Sequence, residues 1–160
     1  MDSNLLFLKY AFPCAFVAHQ RKEITQEEHD RLEKMACEEI PIDNALVVRV
    51  FHRAVERMNK NADEKNIPRG SIEAVRAYFV TNHNELIDTN QYMYGRAPAA
   101  LKELCKVQPG KIIEKKSEEY ALVQFENGKT RPVHLELISH PKINDWVNVH
   151  YSYACERTRN

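Results

Sequence analysis

The feature that most constrains this chain is a change of period near residue 104. Before it, apolar residues recur every three to four positions; after it they recur every second position. A helix presents one face at the first spacing and a strand alternates faces at the second, so neither half can bury its apolar residues in the other's conformation. The expected fold class is therefore α+β: three to four helices over residues 1–104, packed on a small OB-like β-barrel over 105–160.

Start signals sharpen the helical half. In "ITQEEHDRLEKMACEEI", Thr25 stands three residues before Glu28, the spacing at which each side chain satisfies the other's free backbone N–H. Leu32, Met35 and Ala36 then share a face. Asp43 is placed to cap a second helix, with a stripe of Val47, Val50, Phe51, Ala54, Val55 and Met58. Ser71 can cap a third, with Ile72, Val75, Tyr78 or Phe79, and Leu86 facing inward. A short fourth helix is expected from Pro98 through "APAALKEL", because proline costs nothing where no intrahelical N–H is needed.

In the second half, "KIIE", "YALVQF", "TRPVHLELI" and "WVNVHYSY" are short β-rich runs separated by turn residues. Asn127-Gly128 predicts a tight primed or bulged hairpin. Four or five short strands with tight links predict a small barrel, and no flexible linker separates it from the helices.

Composition removes several classes of function. Twenty-three basic side chains balance twenty-three acidic ones, so no net field draws the chain to nucleic acid or anionic lipid. Hydrophobic residues at 43% with only four Gly and seven Pro exclude a low-complexity chain. The apolar run "LLFLKYAFPCAFVAH" is interrupted by Lys9 and Pro13 and predicts a buried N-terminal segment rather than a membrane span or secretory signal. The expected compartment is the cytoplasm. Cys14, Cys37, Cys105 and Cys155 form no CxxC pair, so free thiols are expected, with no zinc signature and no disulfide framework.

Three ordered motifs then carry a family resemblance. "CKVQPG" places Cys105, Pro109 and Gly110 ahead of a strand. The middle holds Ala121, Val123 and Phe125, a turn, then Arg131 and Val133. "NDWVNVHYSYA" holds Asp145, Val147, Val149, His150 and Ala154. This last third resembles the HypC/HupF hydrogenase assembly chaperones, small barrels related to the OB fold. It departs from their pattern in lacking two glycines, at Asn144 and Ser152, and in having an internal cysteine where theirs is N-terminal. The helical region is not recognised.

The resemblance implies a non-enzymatic accessory protein for nickel-iron hydrogenase-type assembly, needing no cofactor of its own. It would dock a maturation protein or metalloenzyme precursor through the barrel and a thiol site of Cys105, Pro109, Gly110 and His150. Pro109-Gly110 is expected to form a rigid corner beside the thiol, because proline fixes one φ and glycine lets the chain turn. A first strand beginning at Cys105 could neighbour the last and bring its sulfur to His150, which points away from the core if Val147 and Val149 face it. Whether any metal binds is left open.

Other groups have ordinary readings. Cys14 and His19 are two ligands, too few for a metal site. His29, Glu33 and Cys37 read as a solvated helix face. His134 and His140 flank the "LELIS" strand and could help shape a metal site, though their spacing does not require one. Cys155 reads as packing or a fraying strand end, and Tyr92 and Tyr94 as interdomain packing first and partner contact second. The rival function is an OB-like nucleic-acid module using Phe125, Tyr151 and Tyr153 as stacking rings. Interleaved glutamates cancel most of the barrel's lysines. A Cys-His enzyme ranks last, since no oxyanion motif or third orienting residue can be identified.

Overall fold

The computed structural model describes residues 2–158, which divide into two compact units between Phe79 and Val80. The first unit is helical. Helix α1 spans Ser3–Ala11 and α2 spans Ala15–Gln20, joined by a 3-10 turn at Phe12–Cys14 where Pro13 interrupts regular hydrogen bonding. Leu5 to Ala11 are all buried, Lys9 among them, so α1 is enclosed on every side rather than on a single stripe. The N-terminal run expected to be buried is thus helical as well.

Helix α3, Gln26–Cys37, starts with the complete Thr25–Glu28 capping box and buries Leu32, Met35 and Ala36. Helix α4, Asn44–Glu64, is capped by Asp43, whose carboxylate accepts from Ala45 N at 2.8 Å. It is kinked at Phe51, where φ −114° and ψ 31° leave the helical region. The expected stripe is buried at Val47, Val50, Phe51 and Met58. Phe7 meets Phe51 and Phe79 edge-on at 5.9 and 5.4 Å, and Tyr10 stacks on Phe79 at 5.2 Å. Aromatic rings from three segments therefore form the centre of this unit.

The third expected helix is not continuous. Helix α5, Ile72–Arg76, begins at Ser71, whose hydroxyl accepts from Ala74 N, but the chain then widens into a π-helical stretch at Ala77–Asn82. Helix α6, His83–Asp88, follows. A 3-10 turn at Tyr92–Arg96 and helix α7, Ala99–Cys105, complete the helical elements among the described residues. Pro98 stands at the cap of α7.

Five strands close into a barrel in the order β1-β2-β3-β5-β4: β1 Gln108–Lys115, β2 Tyr120–Phe125, β3 Thr130–His134, β4 Trp146–His150 and β5 Tyr153–Thr158. The α+β expectation, helices first and then a small barrel, holds. Closure falls to β1, which pairs along Gly110–Lys115 with β2 and along Gln108–Lys111 with β4. A bulge between Ile112 and Glu114 bends it to reach both partners. Ile112, Ala121, Val123, Phe125, Val133, Val147, Val149 and Ala154 fill the interior with Leu135 and Ile138.

Two strand readings need correction. "TRPVHLELI" is a strand only to His134, because Leu135, Leu137 and Ile138 are buried from a turn rather than from a ladder. "WVNVHYSY" breaks at Tyr151, which takes φ 53° and starts the return into β5. The Asn127-Gly128 turn is the bulged kind. Gly128 N donates to Phe125 O at 2.9 Å, Gly128 alone of the pair has a positive φ, and Phe125 N closes the loop onto Lys129 O.

Candidate thiol site

Cys105 is not at a strand start: it is the last residue of α7, and the chain becomes extended at Lys106, φ −68° and ψ 137°. Three hydrogen bonds to the backbone hold this exit. Tyr151 N donates to Leu104 O at 2.9 Å, tying the helix end to the residue after β4. Asn84 does the rest, accepting from Val107 N at 2.9 Å and donating to Val107 O at 2.8 Å, so its side-chain amide imitates a strand partner. From Val107 the chain enters β1, where Gln108 opposes Val149 of β4. The expected neighbourhood of the first strand and the His150 strand is therefore present.

His150 ends β4. Val147 and Val149 face the barrel interior, so Asn148 and His150 lie on the other surface, and both are nonetheless buried. The Cys105 sulfur stands 3.9 Å from His150 Nε2, although 45 residues separate the two. A second imidazole meets the same sulfur. His83, the first residue of α6, places Nε2 3.8 Å from Cys105 Sγ. The two rings meet edge to face with centroids 5.2 Å apart. The Tyr94 hydroxyl lies 3.2 Å from His83 Nε2, its ring perpendicular to the imidazole.

All three members of this cluster are shielded: Cys105 is 6% exposed, His83 3% and His150 0%. Burial pushes the His83 imidazole below the ordinary histidine range; contact with Cys105 pulls it back, while His150 adds to the depression. The site is polar rather than an apolar socket for sulfur. It holds a sulfur among nitrogen and oxygen atoms that can accept or donate its proton.

Pro109 and Gly110 do not form the expected corner. Both lie inside β1, opposite Asn148 and Val147 of β4. Gly110 has no positive φ; its importance is closeness, because a Cβ there would stand 2.5 Å from Val123 Cγ1. The pair stiffens and closes the barrel rather than turning the chain beside the thiol.

The remaining sequence candidates scatter. His29, Asp30 and Glu33 hold ligand atoms within 4.8 Å of one another on α3, a grouping common on acidic helix faces without a metal. Cys37 ends that helix, partly exposed. His19 lies in α2, its ring 6.2 Å from that of His29. His134 stacks on Tyr153 at 4.5 Å, lies 4.4 Å from Tyr120 and contacts Glu136, whereas His140 is exposed. Cys155 is buried within β5. Of the rings proposed for base stacking, Phe125 is 7% exposed beneath the Arg131 guanidinium, and Tyr153 already stacks on His134.

Sequence reasoning missed His83. "VTNHNELID" carries no motif, and only the fold brings this ring to a sulfur 22 residues away. Tyr94 was noticed, but as packing.

The C-terminal third of the chain, residues 104–160, matches the family model of the HupF/HypC family. The match takes in Cys105, the whole barrel and His150, and leaves His83, Asn84 and Tyr94 outside it. No curated protein matches the chain. Among the described residues no helix is long and apolar enough to cross a membrane.

Proposed function

We propose that this protein is an accessory chaperone in the assembly of a nickel-iron hydrogenase-type metalloenzyme, acting by docking rather than by turnover. The observation that carries the reading is the match of residues 104–160 to the HupF/HypC family, on a segment that folds as a closed barrel with Cys105 and His150 in contact. A maturation protein or metalloenzyme precursor would engage the barrel and the Cys105/His150 edge, and the work would take place in the cytoplasm. Since the thiol is shielded, docking includes a local rearrangement at the α7–β1 junction that presents the sulfur. Cys105 is internal to the chain, so its thiol and the neighbouring imidazoles supply the donor groups without an α-amino group on the same residue.

Affinity purification of the tagged chain from its native cell tests this. Wild type should retain a maturation protein or a metalloenzyme precursor, and Cys105→Ala should retain it at least several-fold less. Recovery of neither partner by either form ends the chaperone reading.

A further inference from the structure

We propose that His83 is a third functional residue of the Cys105/His150 site: a positioning residue whose Nε2 accepts from the Tyr94 hydroxyl and holds the Cys105 sulfur against His150. The proposal deepens the docking reading, on which its biological sense rests, but its readout is the chemistry of the chain itself and needs no partner.

Geometry carries it. Two imidazole Nε2 atoms converge on one sulfur, at 3.8 Å from His83 and 3.9 Å from His150. A hydrocarbon of the same size would fill the space beside Cys105 without the cost of burying a polar ring, so packing alone does not account for histidine here. The helix end that supplies His83 also supplies Asn84, which holds Val107 by two hydrogen bonds. Adjacent residues of one turn thus fix the backbone after Cys105 and the side chain of Cys105.

Tyr94 is placed to share the nitrogen's role. The Tyr94 hydroxyl, 3.2 Å from Nε2, can donate or accept and is a stronger and closer donor than the thiol; in the proposed arrangement it donates to Nε2. This arrangement puts the ring proton on Nδ1 and gives the single Nε2 lone pair to the Tyr94 hydroxyl, with the Cys105 sulfur beside it. The sulfur then lies between that nitrogen, at 3.8 Å, and His150 Nε2, at 3.9 Å. His83 lies outside the stretch matched by the family, so the helical segment adds to the site a group that the barrel does not contain.

Two full-length variants separate this role from packing. His83→Phe keeps a ring and removes the nitrogen; His83→Gln removes the ring and returns an amide near the Nε2 position. The measurement is the iodoacetamide labelling rate of Cys105 relative to the partly exposed Cys37 in the same folded sample. His83→Phe should change that ratio by about fivefold, the scale of one lost polar contact, and His83→Gln should stay within about twofold of wild type. A wild-type ratio in His83→Phe overturns the proposal, as does a departure in His83→Gln as large as that in His83→Phe. Should His83→Phe fail to fold by circular dichroism, long-range 1H–15N spectra of wild type decide: an unprotonated His83 Nε2 supports the assignment and a protonated one overturns it.

Discussion

Gly110 and Val123 approach so closely across the β1–β2 ladder that no side chain fits between them. A Cβ on Gly110 would lie 2.5 Å from Val123 Cγ1 and 3.2 Å from both Gln124 O and Phe125 Cδ1. Gly110→Ala should therefore destabilise the chain by about 1–3 kcal/mol, the cost of overpacking a barrel that has no room to expand. Urea unfolding should also show part of that loss recovered in the double variant Gly110→Ala/Val123→Ala. A fully additive double variant would mean that the clash is relieved elsewhere.

Asn84 replaces a strand partner for Val107, and its loss should be felt at Cys105. Asn84→Ala abandons two partly buried backbone groups, at a cost of about 2 kcal/mol. Because the freed segment begins two residues from Cys105, iodoacetamide labelling of that thiol should accelerate while labelling of Cys37 stays constant. Unchanged Cys105 labelling in a destabilised variant would separate the clamp from the thiol.

Burial pushes the His83 imidazole below its ordinary range in the folded chain; the Cys105 contact opposes that shift and His150 adds to it. Above the ordinary histidine value of 6.5, folded and unfolded chains both carry a neutral ring and nothing is gained or lost. As pH falls below it, the unfolded chain takes up a proton that the folded chain resists, so stability declines. Unfolding free energies measured at about pH 7.5 and about pH 5.5 should differ less in His83→Gln than in wild type. An identical pH slope would remove His83 as the source.

Lys9 is buried in α1 at 1% exposure, and its ammonium reaches Glu39 at 2.7 Å. Breaking such a pair from one side leaves the other charge stranded. Glu39→Gln should cost about 1–3 kcal/mol, discounted from the full buried-pair value because Glu39 is half exposed. Lys9→Met, which removes the buried charge and keeps the chain length, should cost less than Glu39→Gln in the same urea titration. The reverse order would show that the lysine stem and its charge matter more than the desolvation they incur.

How far the sequence reached depended on the range of each interaction. The Thr25–Glu28 box, the Asp43 and Ser71 caps and the Gly128 turn involve residues at most four apart, so their signals lie within one short window. Alternation in Ala121, Val123 and Phe125 was equally readable, because one buried face imposes period two on a strand. The end of β3 at His134 was not, since Leu135, Leu137 and Ile138 continue the apolar run while the hydrogen bonds leave the ladder.

Alone, the amino-acid order determined the helix starts, the hairpin, the change of period and the motif sequence that marks the last third, all of them properties of near neighbours. Only tertiary structure decided that Pro109-Gly110 is a strand rather than a corner, since barrel closure demands the close approach at Gly110. It likewise placed Cys105 at a helix end and put a second imidazole, from 22 residues upstream, against its sulfur. Such distances are set by where α6, α7 and β4 come to rest in the second unit, and no local window of side chains encodes them.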